Sequence, residues 1–203
     1  MPKFVISRRQ FCAVAAAAAL ARPLSAFAKP IQGPSSIEAL LERARHALAI
    51  HGSRIARDDV IGLVDFGAPS HQPRFHIIEL ATGRAERVLV AHGRGSDPAH
   101  SGWLRSFSNQ PGSKASSAGA YLTGALYEGQ HGRSRRLIGL DESNSNAEAR
   151  ALVIHAADYV SPAMVTRFGK IGRSEGCLAV AAADRETVLD RLGPGRLIYV
   201  DKA

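Results

Sequence analysis

Cysteine is nearly absent from this chain: 203 residues hold two, Cys12 and Cys177. Two thiols cannot build the disulfide framework of a small secreted scaffold. Aromatic residues are scarce at 6%. The apolar run from Phe11 to Ala21 falls well short of the ~20 residues that span a bilayer. Acids are the minority charge, 18 Asp and Glu against 26 Lys and Arg, for a formal charge of +8. The basic excess is scattered, with no lysine block and no basic run interleaved with aromatics, which argues against nucleic acid as a partner. None of the eight histidines stands two, three or four residues from another histidine or from cysteine, so neither a metal nor a cofactor is expected. Internal repeats, low-complexity tracts and long linkers are missing too.

The N-terminus has a clear layout. Residues 1–28 read as a cleaved export signal, with a basic start, a short apolar run, and small residues at Ala26 and Ala28 before the cut. Ser7-Arg8-Arg9-Gln10-Phe11 fits the twin-arginine type, the route of proteins exported already folded. Lys3, Arg8, Arg9 and Arg22 leave with the signal and no acid does, so +8 falls to +4. Cys12 leaves as well. The expected mature protein is periplasmic, is not inserted in the membrane, and carries one thiol with no disulfide partner.

The rest reads as one domain that is mostly β with a few helices, a sandwich or small barrel. Residues 29–58 form an N-terminal helical segment, since Ile37, Leu40, Leu41, Ala44 and Leu48 make one apolar stripe ended by Gly52. That helix is expected to pack outside the domain of residues 59–203. The short β-branched runs "VIGLVDF", "RFHIIEL" and "ERVLVAH" read as strands, the last two as a hairpin around Thr82-Gly83. "YLTGALYEG", "RRLIGL", "ALVIHAADYV" and "RLIYV" read likewise, with helices starting at Ser161-Pro162 and within "AADRETVLDRLGPG". Residues 93–120 form a long Gly/Ser/Pro-rich loop, of a length that is functional or disordered, and Trp103 and Phe107 argue that it folds back.

Chemistry converges on "GRSEGCLAV", residues 172–180. An ordinary thiol with a pKa of ~8.5 is only slightly ionised at neutral pH, so a working Cys177 needs a base. His155, at the end of the strand "LVIHAADYV", is the candidate. Gly176 allows an unusual backbone and close approach by a substrate. The Gly176 and Cys177 N–H groups would face a developing oxyanion, at ~3–4 kcal/mol per donor. The bland alternatives are a small buried cysteine and a satisfied core histidine.

"VIHAADYVS" followed by "GRSEGCLAV" resembles the histidine and Ser-x-Gly-Cys motifs of the L,D-transpeptidase catalytic domain family, also called YkuD-like. "AHGRGS", "FSNQPGSKASSAGAY", "GQHGRSRRLIGLD" and "NSNAEARA" extend the likeness over roughly Val60 to Val200. The resemblance implies a β-sandwich or small-barrel domain that acts on peptidoglycan stem peptides. It implies Cys177 as nucleophile, His155 as base, and Ser174 and Gly176 as the motif serine and glycine. The thiolate would attack a stem tetrapeptide, release D-alanine, and pass the acyl group to an amine without ATP or metal.

Many members carry an arginine two residues after the cysteine, where this chain has Ala179. Arg94, Arg136 and Arg173 are candidate substitutes for seating substrate, with His92 and Tyr121 as further candidates along the cleft. Two rival functions stand beside transpeptidation: an L,D-carboxypeptidase that resolves the same acyl-enzyme with water, and a non-catalytic wall-binding module. For export the expected outcome is direct: changing Arg8 and Arg9 to Lys leaves precursor in the cytoplasm, read by immunoblot of cell fractions. Normal processing in cells lacking the twin-arginine machinery would refute that route.

Overall fold

The computed structural model describes residues 36–203. The export signal expected at residues 1–28 lies outside the described residues. Nine strands and three α-helices follow: α1 (Ser36–His51), β1 (Val60–Asp65), β2 (Phe75–Glu79), β3 (Ala85–Val88), β4 (Val90–Ala91), β5 (Gly119–Gly129), β6 (Gly132–Gly139), β7 (Val153–Ala156), α2 (Pro162–Phe168), β8 (Leu178–Val180), α3 (Arg185–Arg191) and β9 (Leu197–Asp201). All strands join one mixed sheet in the order β3-β2-β1-β9-β5-β6-β7-β8-β4. Pairing is antiparallel except between β1 and β9 and between β7 and β8. The domain is mostly β, and its sheet is not closed.

Alternation along the strands sorts their side chains between two apolar clusters. Val60 and Val64 of β1, Phe75 and Ile77 of β2, and Ile198 and Val200 of β9 face the main core, with Leu137, Ile154 and Val180. Val188, Leu189 and Leu192, in and just after α3, seal that core. Ile61, Leu63, Ile78, Ala120 and Leu197 point the other way, onto Leu40, Ala44 and Ala47 of α1. The helix therefore covers the outer face of the sheet, as its apolar stripe requires. An ion pair from Arg43 to Asp201 at 2.6 Å and a hydrogen bond between His51 Nε2 and Asp141 Oδ1 at 2.7 Å pin it.

Three expectations change in detail. The strand expected over Glu86–His92 breaks at Leu89: Val88 pairs with Phe75, and Val90 with Val180 at the opposite end of the sheet. The fully buried Arg74 accounts for the break. Its Nε and Nη2 donate to the Val90 carbonyl at 3.1 and 3.0 Å, and Nη1 donates to the Ala68 carbonyl at 2.8 Å. The strand expected through Val160 stops at Ala156, where the chain turns with Val160 N–H on the Ala157 carbonyl. Three-residue β8 was not anticipated as a strand.

The long loop is ordered by its serines. Ser116 N–H donates to Ser96 Oγ at 3.0 Å, and Arg105 N–H donates to the Ser96 carbonyl at 2.7 Å. Phe107 packs toward Phe66 with ring centroids 6.3 Å apart, as expected of an anchor, whereas Trp103 remains 45% exposed. None of the described helices is long and apolar enough to cross a membrane.

Leu40 is fully buried between α1 and the sheet. Leu40→Ala should cost about 2–5 kcal/mol of unfolding free energy by leaving a cavity, measured as a lower urea midpoint at an unchanged m-value.

Candidate active site

The register of β7 and β8 sets the site. His155 lies opposite Ala179 and Ile154 opposite Leu178, so Cys177 stands abreast of Val153, one residue ahead of β8. Residues two apart on a strand share a face, which puts His155 diagonally across from Cys177. Both side chains line one cleft of about 940 Å³.

The turn before β8 is held from beneath. Ser174 is buried, and its Oγ donates to the Cys177 carbonyl at 2.7 Å and accepts from Gly176 N–H at 3.1 Å. Its backbone is anchored too, with Ser174 N–H on the His92 carbonyl and Arg94 N–H on the Ser174 carbonyl. Gly176 has φ +117°, and a Cβ there would sit 2.7 Å from the Ala115 carbonyl oxygen. Only glycine fits. Of the two N–H groups expected to be free in this turn, that of Gly176 is taken by Ser174 Oγ, and that of Cys177 lies beside its own sulfur.

His155 is 3% exposed, and its Nδ1 is 2.8 Å from the Ala156 carbonyl oxygen. A carbonyl only accepts, so Nδ1 carries the proton and Nε2 keeps its lone pair. His131, at the tip of the β5–β6 hairpin, stacks on this imidazole with centroids 4.2 Å apart and planes 21° apart. Burial holds His155 below the ordinary imidazole pKa; the Ala156 carbonyl pulls it upward and His131 pushes it further down. The thiol moves oppositely. Burial pushes the Cys177 thiol up, while the Val153 N–H and the Arg150 guanidinium draw it down and Glu175 raises it. No hydrogen bond joins His155 to Cys177 among the described residues, and Sγ lies 3.9 Å from the Ala151 carbonyl oxygen. Both shifts favour the uncharged forms, thiol and imidazole.

The other expected substrate contacts divide. Arg173 lines the cleft, with its guanidinium on the Asp97 and Pro98 carbonyls. Arg94 is exposed at the rim and pairs with Glu175 at 2.5 Å. Arg136 is exposed and stacks 4.5 Å over the ring of Tyr127, which itself lines the cleft. His92 and Tyr121 are corrected, because neither reaches the cleft. His92 is 1% exposed, with Nδ1 2.7 Å from Arg74 Nη2 and Nε2 3.4 Å from Asp97 Oδ2. Burial first, then Arg74, pulls its pKa down to about 4. Tyr121 is buried, and its hydroxyl donates to the Ser117 carbonyl at 2.9 Å. Burial pushes that hydroxyl up to about 12.

Sequence reasoning did not single out His131, Lys114, Arg150 or Glu175, all of which line the cleft. Arg150 stands where a cation was sought. Its Nη1 donates to the Ser108 carbonyl at 2.8 Å and its Nη2 to the Ala115 carbonyl, which holds it near the sulfur. Ala179 is fully buried among Val160, Ile171 and Ala181. Two non-glycine residues at the cleft have positive φ, Lys114 at 56° and Ala151 at 52°. Such backbone costs of order 1–3 kcal/mol per residue and clusters at functional sites.

The sequence profile of the L,D-transpeptidase catalytic domain matches residues 35–200. The chain belongs to that family. Solved structures with a similar fold include an L,D-transpeptidase from Mycobacterium smegmatis, 14% identical, TM-score 0.43, with 70% of this chain and 58% of that chain covered. An L,D-transpeptidase from Mycobacterium tuberculosis is 14% identical, TM-score 0.45, with 71% and 58% covered. A variant of the helical cell shape determining protein Pgp2 from Campylobacter jejuni is 11% identical, TM-score 0.44, with 78% and 54% covered. The chain thus spans less than two thirds of the length of each of these three proteins. No curated protein sequence matches it.

The neutral state of the pair in this L,D-transpeptidase-family cleft has a kinetic signature. A thiol raised by burial should be alkylated by iodoacetamide at a rate that keeps climbing with pH, with no plateau between about pH 6 and 8. A plateau in that window, read by mass spectrometry of timed samples, would mean a resting thiolate–imidazolium pair instead.

Proposed function

We propose that this domain is a cysteine L,D-transpeptidase of the bacterial cell wall, with Cys177 as nucleophile and His155 as base. One observation carries the reading: the free thiol of Cys177 and the unprotonated Nε2 edge of a buried imidazole belong to one open, mixed-polarity cleft. A burial-neutralised pair favours proton transfer during attack over a standing ion pair.

In the first half-reaction Sγ attacks the carbonyl carbon of the third residue of a stem tetrapeptide as its proton passes to His155 Nε2. The Cys177 N–H donates to the oxyanion. Collapse of the tetrahedral adduct breaks the bond to the terminal D-alanine, whose nitrogen takes the proton back from His155. A thioester and a neutral imidazole remain. In the second half-reaction an unprotonated amine of another stem attacks the thioester, His155 receives a proton from that nitrogen, and the departing sulfur recovers it. Bond energy held in the thioester drives amide formation, so the reaction suits a compartment without ATP. The export signal read in residues 1–28 belongs to the same proposal, as does the periplasmic address.

Cys177→Ala should abolish turnover of a stem tetrapeptide, and His155→Ala should slow it by about 10²–10⁴-fold. A carbapenem resembles an acylating donor and should add one equivalent of mass, confined to the peptide bearing "SEGCLAV". With a diamino-acid acceptor present, cross-linked dimer should exceed free tripeptide. Tripeptide alone at saturating acceptor would make the enzyme a carboxypeptidase, and wild-type turnover by Cys177→Ala would overturn the assignment.

A further inference from the structure

Glu175 is the only acid among the described residues that line the cleft. It occupies the variable position of the Ser-Glu-Gly-Cys turn, two residues before the thiol. Its Oε1 forms ion pairs with Arg94 Nη2 at 2.5 Å and with Lys114 Nζ at 3.3 Å. Arg94, in the 3₁₀ turn Arg94–Ser96, and Lys114 belong to the two ends of the long loop, and Glu175 to the turn before β8. All are well exposed, with side-chain exposures of 48% for Arg94, 62% for Glu175 and 44% for Lys114. Exposed ion pairs contribute little to stability, so these partners exchange readily for those of a ligand.

A carboxylate beside the sulfur works against the first half-reaction. Glu175 pushes the Cys177 thiol up, which disfavours the thiolate that must attack. After acylation the sulfur carries no charge and that penalty disappears. The attraction of Glu175 for a cation approaching the thioester remains. A carboxylate holds water by a neutral donor's hydrogen bond alone, whereas it holds an ammonium by a hydrogen bond and by opposite charge.

We propose that Glu175, Arg94 and Lys114 form the acceptor subsite, a receptor for a zwitterionic amino-acid centre. Glu175 takes the ammonium, and Arg94 and Lys114, released from Glu175, take the carboxylate on the same carbon. The inference rests on the transpeptidase reading and deepens it by naming the group that selects an amine over water. The bound ammonium must shed one proton to solvent before its nitrogen attacks, and the second goes to His155 Nε2, which is neutral again once D-alanine has left.

A tripeptide ending in diaminopimelate tests the subsite without turnover, because it lacks the terminal D-alanine that a donor must lose. Its binding to the intact protein is measured by calorimetry at low salt. Acetylation of its side-chain amine should weaken binding to the wild type by roughly tenfold, the scale of one charge-assisted contact. Glu175→Gln should bind the free tripeptide as weakly as the wild type binds the acetylated one, and should not distinguish the two. Glu175→Asp should restore the distinction. Amidation of the side-chain carboxylate should weaken binding to the wild type but not to an Arg94→Ala/Lys114→Ala double variant. The proposal falls if the wild type binds free and acetylated peptides alike, or if Glu175→Gln still separates them. Carbapenem addition to wild-type Cys177 checks the nucleophile independently. Its failure would remove that assignment, while the discrimination between peptides would still decide the subsite.

Discussion

The parallel ladder between β7 and β8 is the constraint on which the site depends. It fixes His155 against Ala179 and so puts Cys177 on the same face as the imidazole. A slip of one residue would send either side chain to the opposite face, because strand side chains alternate with a period of two. Parallel neighbours cannot be joined by a tight turn. The chain between Ala156 and Leu178 is therefore a crossover, and it is spent on α2 and the Ser-Glu-Gly-Cys turn. The turn is locked at its two ends by different means: Ser174 is paired on both sides of its backbone with residues 92–94, and Gly176 adopts a conformation closed to other residues.

Burial acts on the two facing groups in opposite directions and with the same result. It raises the thiol and lowers the imidazole, so each is shifted toward its uncharged form in a cleft whose walls are cationic. Arg150, Arg173 and Lys114 supply that positive field, and Arg150 is aimed by backbone carbonyls of the long loop and not by a carboxylate. A cation satisfied by neutral acceptors keeps its full charge for an anionic substrate group. The positive φ values at Lys114 and Ala151 lie in the same walls, and the Ala151 carbonyl is the neighbour of the sulfur. Backbone strain is thus placed beside the thiol.

Much of this was legible from one chain. Short β-branched runs marked most of the strands, an apolar stripe of helical spacing marked α1, and a lone thiol in a glycine turn pointed to Cys177. His155 followed from its place at the end of an apolar strand. The break at Leu89 was not legible, because nothing in "RFHIIEL" announces that its arginine is fully buried and takes the Val90 carbonyl. The same buried guanidinium draws His92 away from the cleft, so a histidine in a glycine-rich stretch, the usual sign of an active site, serves the scaffold. Tyr121 was misplaced for a related reason: its hydroxyl found a partner four residues away. His131 and Arg150 gave no signal at all, since a hairpin tip and a loop acquire meaning only when the fold brings them to the thiol.

The first and last strands of the sheet, β3 and β4, are consecutive in the chain and separated only by Leu89. The sheet curls until its two margins are one covalent thread. Open margins are where foreign strands add and where fibrils begin. Here the outer margin of β3 is four residues long and carries Glu86 and Arg87, and β4 contributes two fully buried residues. A β-rich domain built this way can be crowded against copies of itself without offering them a ladder to extend.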